Sequence, residues 1–112
     1  MEARLKIDRI CESAGEKKAE HIVIMEMKGK SSFCDTFVIM SAPSAVRVKA
    51  IVDCIEKNLK EEGIYPKHKE GYKEALWVLL DYGDILVHVF HEDTRKFYQL
   101  ERLWGDAPKR AF

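Results

Sequence analysis

Trp77-Val-Leu-Leu-Asp-Tyr-Gly-Asp-Ile-Leu-Val-His-Val-Phe90 decides the fold of this 112-residue chain. The stretch is dense in β-formers and is broken once, at Asp81-Tyr82-Gly83-Asp84, so it predicts a β-hairpin. A symmetric turn centred on Tyr82-Gly83 pairs Leu80 with Ile85, Leu79 with Leu86, Val78 with Val87 and Trp77 with His88. One face then carries Val78, Leu80, Ile85, Val87 and Val89, a plain core face. The other carries Trp77, Leu79, Leu86, His88 and Phe90, with Asp81 set opposite Asp84 at the turn. Like charges directly across a ladder destabilise by about a few tenths of a kcal/mol. Fold stability alone does not select that second face.

The chain on either side supplies what the hairpin packs against. Ile7, Ile10, Cys11 and Ala14 follow the spacing of a short amphipathic helix that Gly15 can end. Residues 21–27 read as a strand, with Ile22 and Ile24 on one face and Val23 and Met25 on the other. Residues 28–32 form a turn or loop. Residues 36–40 form a second strand, apolar on both faces as a central strand is. Ser41-Ala-Pro-Ser44 opens a helix over 44–62 whose stripe is Val48, Ile51, Val52, Ile55 and Leu59, with Gly63 at the C′ position. A weak polar strand at 66–70 precedes the hairpin. A last helix over 93–103 places Phe97, Leu100 and Trp104 on one stripe, capped by Asp93 or Thr94. The order α-β-β-α-β-β-β-α implies one mixed sheet packed by helices, in the α/β or α+β class. The passage from the second strand through the long helix to the third strand is expected to be a right-handed parallel crossover.

At this length one domain buries a core without disulfides or metals. Apolar residues make up 46% and charged residues 34%, which fits a globular chain and not a disordered one. Lys+Arg and Asp+Glu both number 19, so no global field draws the chain to nucleic acid or membrane. Residues 81–106 are different: six acids stand against three bases, beside Phe90, Phe97, Tyr98 and Trp104. An acidic, aromatic segment suits a basic protein partner better than a phosphate backbone. Cys11, Cys34 and Cys54 are odd in number and widely spaced, which argues against a disulfide framework or zinc site and for a reducing cytosol. The N-terminus lacks the apolar run of a signal peptide, and no run approaches the roughly 20 residues of a membrane span. A cytoplasmic protein is expected.

Metal-dependent nucleotidyl transfer is the enzyme reading to weigh. It needs a Gly-Ser phosphate turn and two carboxylates one residue apart on a strand, so that both reach one ion. Asp84 is followed by Ile85 and Leu86, and Gly29 by Lys30, so neither requirement is met. His88 and His91 lie three apart, on opposite faces of a strand, and make no metal pair. His91 reads as a loop or capping residue. His88 either packs against Trp77 or lines a partner surface. Cys34 has no histidine near it in sequence and reads as a small buried hydrophobe. No catalytic residue, metal ligand or cofactor is expected. The Trp77 face could be buried under the last helix, yet Asp81 and Asp84 are poor neighbours for buried aromatics. Trp, Leu, Phe and His rimmed by acids favour an interface.

Trp77 to Phe90, together with Phe97-Tyr98-x-Leu100-Glu101-x-Leu103-Trp104-Gly105-Asp106-Ala107-Pro108, resembles the ribosomal silencing factor RsfS, or Iojap, family. Gly29-x-Ser31-Ser32-x-x-Asp35-x-Phe37-Val38-Ile39 and Val48-Lys49-Ala50-Ile51 are similar to further blocks of that family, in order and spacing. The resemblance covers about residues 5 to 108, so residues 1–108 are expected to be one such domain and 109–112 a short tail. It implies a nucleotidyltransferase-like fold without the catalytic residues. It also implies a non-enzymatic factor that binds ribosomal protein uL14 on the large subunit and sterically blocks subunit joining, repressing translation. Homodimers off the ribosome are implied as well. By position, the contact falls on Trp77, Asp81, Tyr82, Asp84, His88, Arg95, Tyr98 and Trp104, with Glu70 at the rim. Ala42-Pro43 and Ala75-Leu76 depart from the family pattern and bear on local loop geometry. A homodimerisation module is a third reading of the same aromatic face.

Overall fold

The computed structural model describes residues 1–32 and 34–112. Its elements are α1 (Ala3–Glu16), β1 (Glu20–Glu26), β2 (Thr36–Ala42), α2 (Ala45–Glu61), β3 (His68–Glu70), β4 (Trp77–Asp81), β5 (Ile85–His91), α3 (Glu92–Tyr98), α4 (Leu100–Leu103) and β6 (Lys109–Ala111). The strands form one mixed sheet in the order β3-β4-β5-β2-β1-β6. The expected class, a mixed sheet packed by helices, is the observed one.

β2 is the hub. All seven of its residues are buried, because strands flank it on both sides and helices cover both its faces. It pairs with β5 in parallel and with β1 antiparallel. β3 does run parallel to β2, but β4 and β5 lie between them, so the parallel ladder closes on β5. On one side of the sheet, Val38, Met40, Val78, Leu80, Ile85, Val87 and Val89 meet the stripes of α1 and α2. Each fully buried Val, Leu or Ile contributes roughly 1.5–3 kcal/mol, which makes this the main core. Ser44 caps α2 by accepting the Arg47 N–H at 3.2 Å. Gly63, with φ +77°, supplies the left-handed residue just after its end.

Several expectations are corrected. The hairpin register is displaced by two residues: Trp77 pairs with Phe90, Leu79 with His88 and Leu80 with Val87. The Tyr82 N–H donates to the Ile85 carbonyl at 2.9 Å, so the turn centres on Gly83-Asp84, and Gly83 takes φ +90°. A glycine at the first central position of a two-residue loop matches the twist of the strands, which is why the turn forms there. A shift of two keeps the face assignments, and it removes the opposition of Asp81 and Asp84. The Asp81 carboxylate accepts the Gly83 N–H at 2.8 Å, while Asp84 pairs with Lys6 of α1 at 2.8 Å. Gly15 lies inside α1, which runs on to Glu16. The last helix is two helices, broken at Gln99 with φ +49°. His91 caps α3 by accepting the Asp93 N–H, so the capping reading of His91 holds and that of Asp93 or Thr94 does not. Phe97 is 81% exposed and leaves the buried stripe. Lys109–Ala111 of the expected tail form the edge strand β6 on β1.

Candidate docking face

The face of the sheet away from α1 and α2 is only partly covered. Alternation brings Trp77, Leu79 and Asp81 of β4 beside Leu86, His88 and Phe90 of β5, and Phe37 and Ile39 of β2 beyond them. Phe37, Ile39, His88 and Phe90 are buried there with Met25, Met27, Cys34, Leu100 and Ala107. Trp77, Leu86 and Trp104 pack at the margin and stay half-exposed. Phe97, Tyr98 and Leu103 are exposed around them. The face is therefore a core in its middle and an apolar surface at its outer side.

Ring contacts fix the aromatic part. Trp77 stacks on Phe90 at 4.9 Å between centroids and meets the Tyr98 ring at 4.9 Å on its other neighbour. Trp104 stands edge-on to Phe37 at 5.2 Å. The lead-in loop sets the position of Trp77. Gly71 lies so close to the Trp77 carbonyl that no Cβ fits there, and its φ of +79° suits glycine. Ala75, fully buried, holds φ +56°, a costly conformation for a residue with a Cβ.

His88 explains why Trp77 does not rotate freely. The Trp77 indole Nε1–H donates to His88 Nδ1 at 3.1 Å. That bond places the proton of the neutral ring on Nε2, which is buried without a hydrogen-bond partner among the described residues. His88 is 4% exposed, with Phe37 at 4.6 Å. Burial pushes its pKa down to about 4. Of its two expected roles, packing against Trp77 is the one observed.

The nine residues expected to touch a partner divide by position. Glu70, Trp77, Asp81, Tyr98 and Trp104 lie on or beside the open face; Glu70 pairs with Leu79 and projects to the same side. Tyr82 is corrected: it stays in the ladder, so it follows Val78 and Leu80 into the main core, where burial raises its phenol pKa. Asp84 is corrected too, since Lys6 holds it on the α1 side. His88 lies beneath the surface and Arg95 is half-buried. Arg95, 12% exposed in its side chain, bonds Glu101, Ser41 and the Glu20 carbonyl. Leu103, absent from the expected set, adds exposed apolar surface. Leu103 directly precedes Trp104, so adjacency to that aromatic anchor was its available signal. No helix among the described residues is long and apolar enough to cross a membrane.

Comparison with known proteins gives this face a context. A profile described as "ribosomal silencing factor during starvation" matches residues 1–112. The chain is 50% identical to ribosomal silencing factor RsfS of Halalkalibacterium halodurans over 83% of its own length and 80% of that protein's. It is 48% identical to the Bacillus subtilis protein of the same name, over 83% and 79%. Among solved structures, a Chromobacterium violaceum protein superposes with a TM-score of 0.90 at 30% identity, covering 94% of this chain and 88% of that one. A Bacillus halodurans protein does so at 0.86 and 40% identity, covering 97% and 99%. The chain belongs to the RsfS family of ribosomal silencing factors.

Proposed function

We propose that this chain represses translation by docking through the Trp77–Tyr98–Trp104 face onto ribosomal protein uL14 of the large subunit, where its bulk keeps the small subunit from joining. The observation that carries the reading is a sheet face whose centre is sealed while its margin leaves Trp77, Leu86, Phe97, Tyr98, Leu103 and Trp104 half or fully exposed. Contiguous aromatic surface of this kind is what a protein partner buries. Glu70 and Asp81 beside it suit a basic partner surface and speed its encounter. Family membership supplies the ribosome as the setting. The action needs no chemistry from this chain, because exclusion follows from occupancy. The nucleotidyltransferase alternative gains nothing from the geometry, since Asp84 is paired with Lys6 on the far side of the sheet. Off the ribosome, a second copy would cover the same patch, so dimer and ribosome complex are expected to exclude one another.

Co-sedimentation through a sucrose gradient with purified large subunits tests the reading. The wild type is expected to migrate with the subunit and to lower the yield of joined ribosomes when small subunits follow. Trp77→Ala and Tyr98→Ala are each expected to weaken binding by about tenfold or more, the usual range for a buried aromatic anchor. A wild type that stays at the top of the gradient, or a Trp77→Ala that binds undiminished, refutes it. Crosslinking from position 77 identifies the partner, and a product lacking uL14 removes that assignment.

A further inference from the structure

α3 carries Tyr98 to Trp77, yet none of its seven residues is buried. A helix this short, without a buried apolar stripe, has little of its own to hold it on a sheet. Arg95 supplies the hold. Its Nη1 donates to Ser41 Oγ of β2 at 3.0 Å and to the Glu20 carbonyl of β1 at 3.4 Å. Its Nε donates to Glu101 of α4 at 3.1 Å. One guanidinium thus joins two neighbouring strands, the helix that carries it and the helix that follows. It spans the joint at Gln99, whose left-handed backbone sets the bend between α3 and α4. The planar fork of arginine can meet acceptors in two directions at once, which a lysine ammonium cannot do in the same way.

We infer that Arg95 is a positioning residue for the docking face: it holds α3 and α4 at the angle that seats Tyr98 on Trp77 and Trp104 on Phe37, and it acts through those rings without touching the partner. This rests on the docking reading for its consequence, and on the bonds above for the clamp itself. Two further features agree. Arg95 is the most enclosed charged side chain of the C-terminal segment's ion pairs, at 12% exposed against 75% for Asp106. Ser41, its acceptor on β2, is itself buried at 2% exposure, so that end of the clamp is anchored within the sheet.

The test compares Arg95→Met, Arg95→Lys, Tyr98→Ala and the double variant Arg95→Met/Tyr98→Ala. Methionine keeps the apolar stem and removes every donor. Urea unfolding first establishes that each variant folds, and Arg95→Lys serves if Arg95→Met does not. Hydrogen exchange across residues 92–103 is expected to rise about tenfold or more in Arg95→Met, as local opening becomes easier, with the α2 amides unchanged. Acrylamide quenching of Trp77, read in a Trp104→Phe background, is expected to increase. Binding to large subunits is expected to fall about tenfold for Arg95→Met, and the loss in the double variant to be smaller than the product of the two single losses, because part of the Arg95 effect runs through Tyr98 and only the part that runs through Trp104 remains. Arg95→Lys should lie closer to Arg95→Met than to the wild type. Unchanged exchange and quenching overturn the clamp. Losses that multiply in the double variant show Arg95 acting on the partner by itself, and overturn the positioning role. If the wild type does not bind subunits, the docking reading fails, while exchange and quenching still decide the clamp.

Discussion

Replacing His88 with phenylalanine is expected to flatten the acid limb of this protein's stability. In the fold, burial lowers the imidazole pKa from 6.5 to about 4. As pH falls through 6.5 the unfolded chain takes up a proton at this position, and the folded chain does not do so until near 4. The unfolded state therefore binds more protons across that window, and stability rises with pH inside it. The contribution is present above 6.5 and is lost as pH falls toward 4. Its full size is about 3 kcal/mol, at about 1.4 kcal/mol for each pKa unit. Because the lower pKa is near 4, the loss from this residue is about 1.4 kcal/mol at pH 5.5 and about 2.5 kcal/mol at pH 4.5.

Phenylalanine keeps a flat ring among Phe37, Phe90 and Trp77. It removes the Trp77 hydrogen bond, worth about 1 kcal/mol, and an orphaned buried N–H that costs about 1–3 kcal/mol. At pH 7 the variant should be as stable as the wild type or slightly more so. Urea unfolding followed by circular dichroism at pH 7.0, 5.5 and 4.5 measures both proteins, and the difference between them cancels every other titration. The variant should gain on the wild type by about 2 kcal/mol between pH 7.0 and pH 4.5. A difference that stays constant with pH would show that His88 is not held neutral by burial, and the reasoning would fall.

Other substitutions probe the elements that set the face. Gly71→Ala puts a Cβ against the Trp77 carbonyl at a positive-φ position, and should destabilise by about 2 kcal/mol or more, read from its urea midpoint. Gln99→Gly relieves the left-handed joint between α3 and α4 and should stabilise by about 0.5–1 kcal/mol; a loss instead would show that the Gln99 side chain, which accepts from Arg102, matters more than its backbone. Lys6→Met breaks the pair with Asp84, a partly exposed bridge, and should cost about 1 kcal/mol or less, shrinking at high salt in thermal melts. Alkylation of the native protein should reach Cys54 first and Cys11 only on unfolding, because Cys11 is fully buried with its thiol pKa pushed up to about 12, whereas Cys54 is half-exposed. Mass mapping of the modified peptides reads the order.

Where side-chain period carries the information, the sequence is transparent. The stripe of α2 and the two faces of β1, β2 and the hairpin all follow from spacing, since buried faces need apolar residues at intervals of two or of three and four. The hairpin register is not periodic information. Moving the turn from Tyr82-Gly83 to Gly83-Asp84 leaves every side chain on the same face, so the apolar pattern cannot distinguish the two; only the demand for glycine at the first turn position does. The break at Gln99 left little trace, because a glutamine in a left-handed conformation is set by what α3 and α4 contact and not by its own preference. β6 was invisible for a similar reason. Lys109-Arg-Ala111 has no strand propensity, and it pairs because the turn before it is closed by the Lys109 ammonium on the carbonyls of Trp104, Gly105 and Ala107.

The candidate site was legible as a face and not as a set of buried and exposed positions, and the difference has a physical cause. Alternation says which side of a strand a residue is on; it does not say how deep the residue lies once other elements settle over it. Trp77, Leu86, His88 and Phe90 share a face, yet Phe37 and the α4 residue Leu100 seal His88 and Phe90 while Trp77 and Leu86 remain at the margin. Tyr82 illustrates the converse: one residue of extra ladder sent a turn tyrosine into the main core. Arg95 was placed at the contact by its position in the family pattern, and nothing in its own sequence neighbourhood indicates a fold-spanning role, since arginine is mostly exposed. Two of its three acceptors lie 54 and 75 residues away in sequence, on strands that reach it only after the sheet has formed. A docking face of this construction separates two tasks that sequence alone merges. The residues that meet the partner must stay exposed, while those that orient them must be buried to hold a fixed geometry, and both kinds are polar or aromatic. A substitution scan that reads only binding would assign both to the interface, and hydrogen exchange in the unbound protein tells them apart.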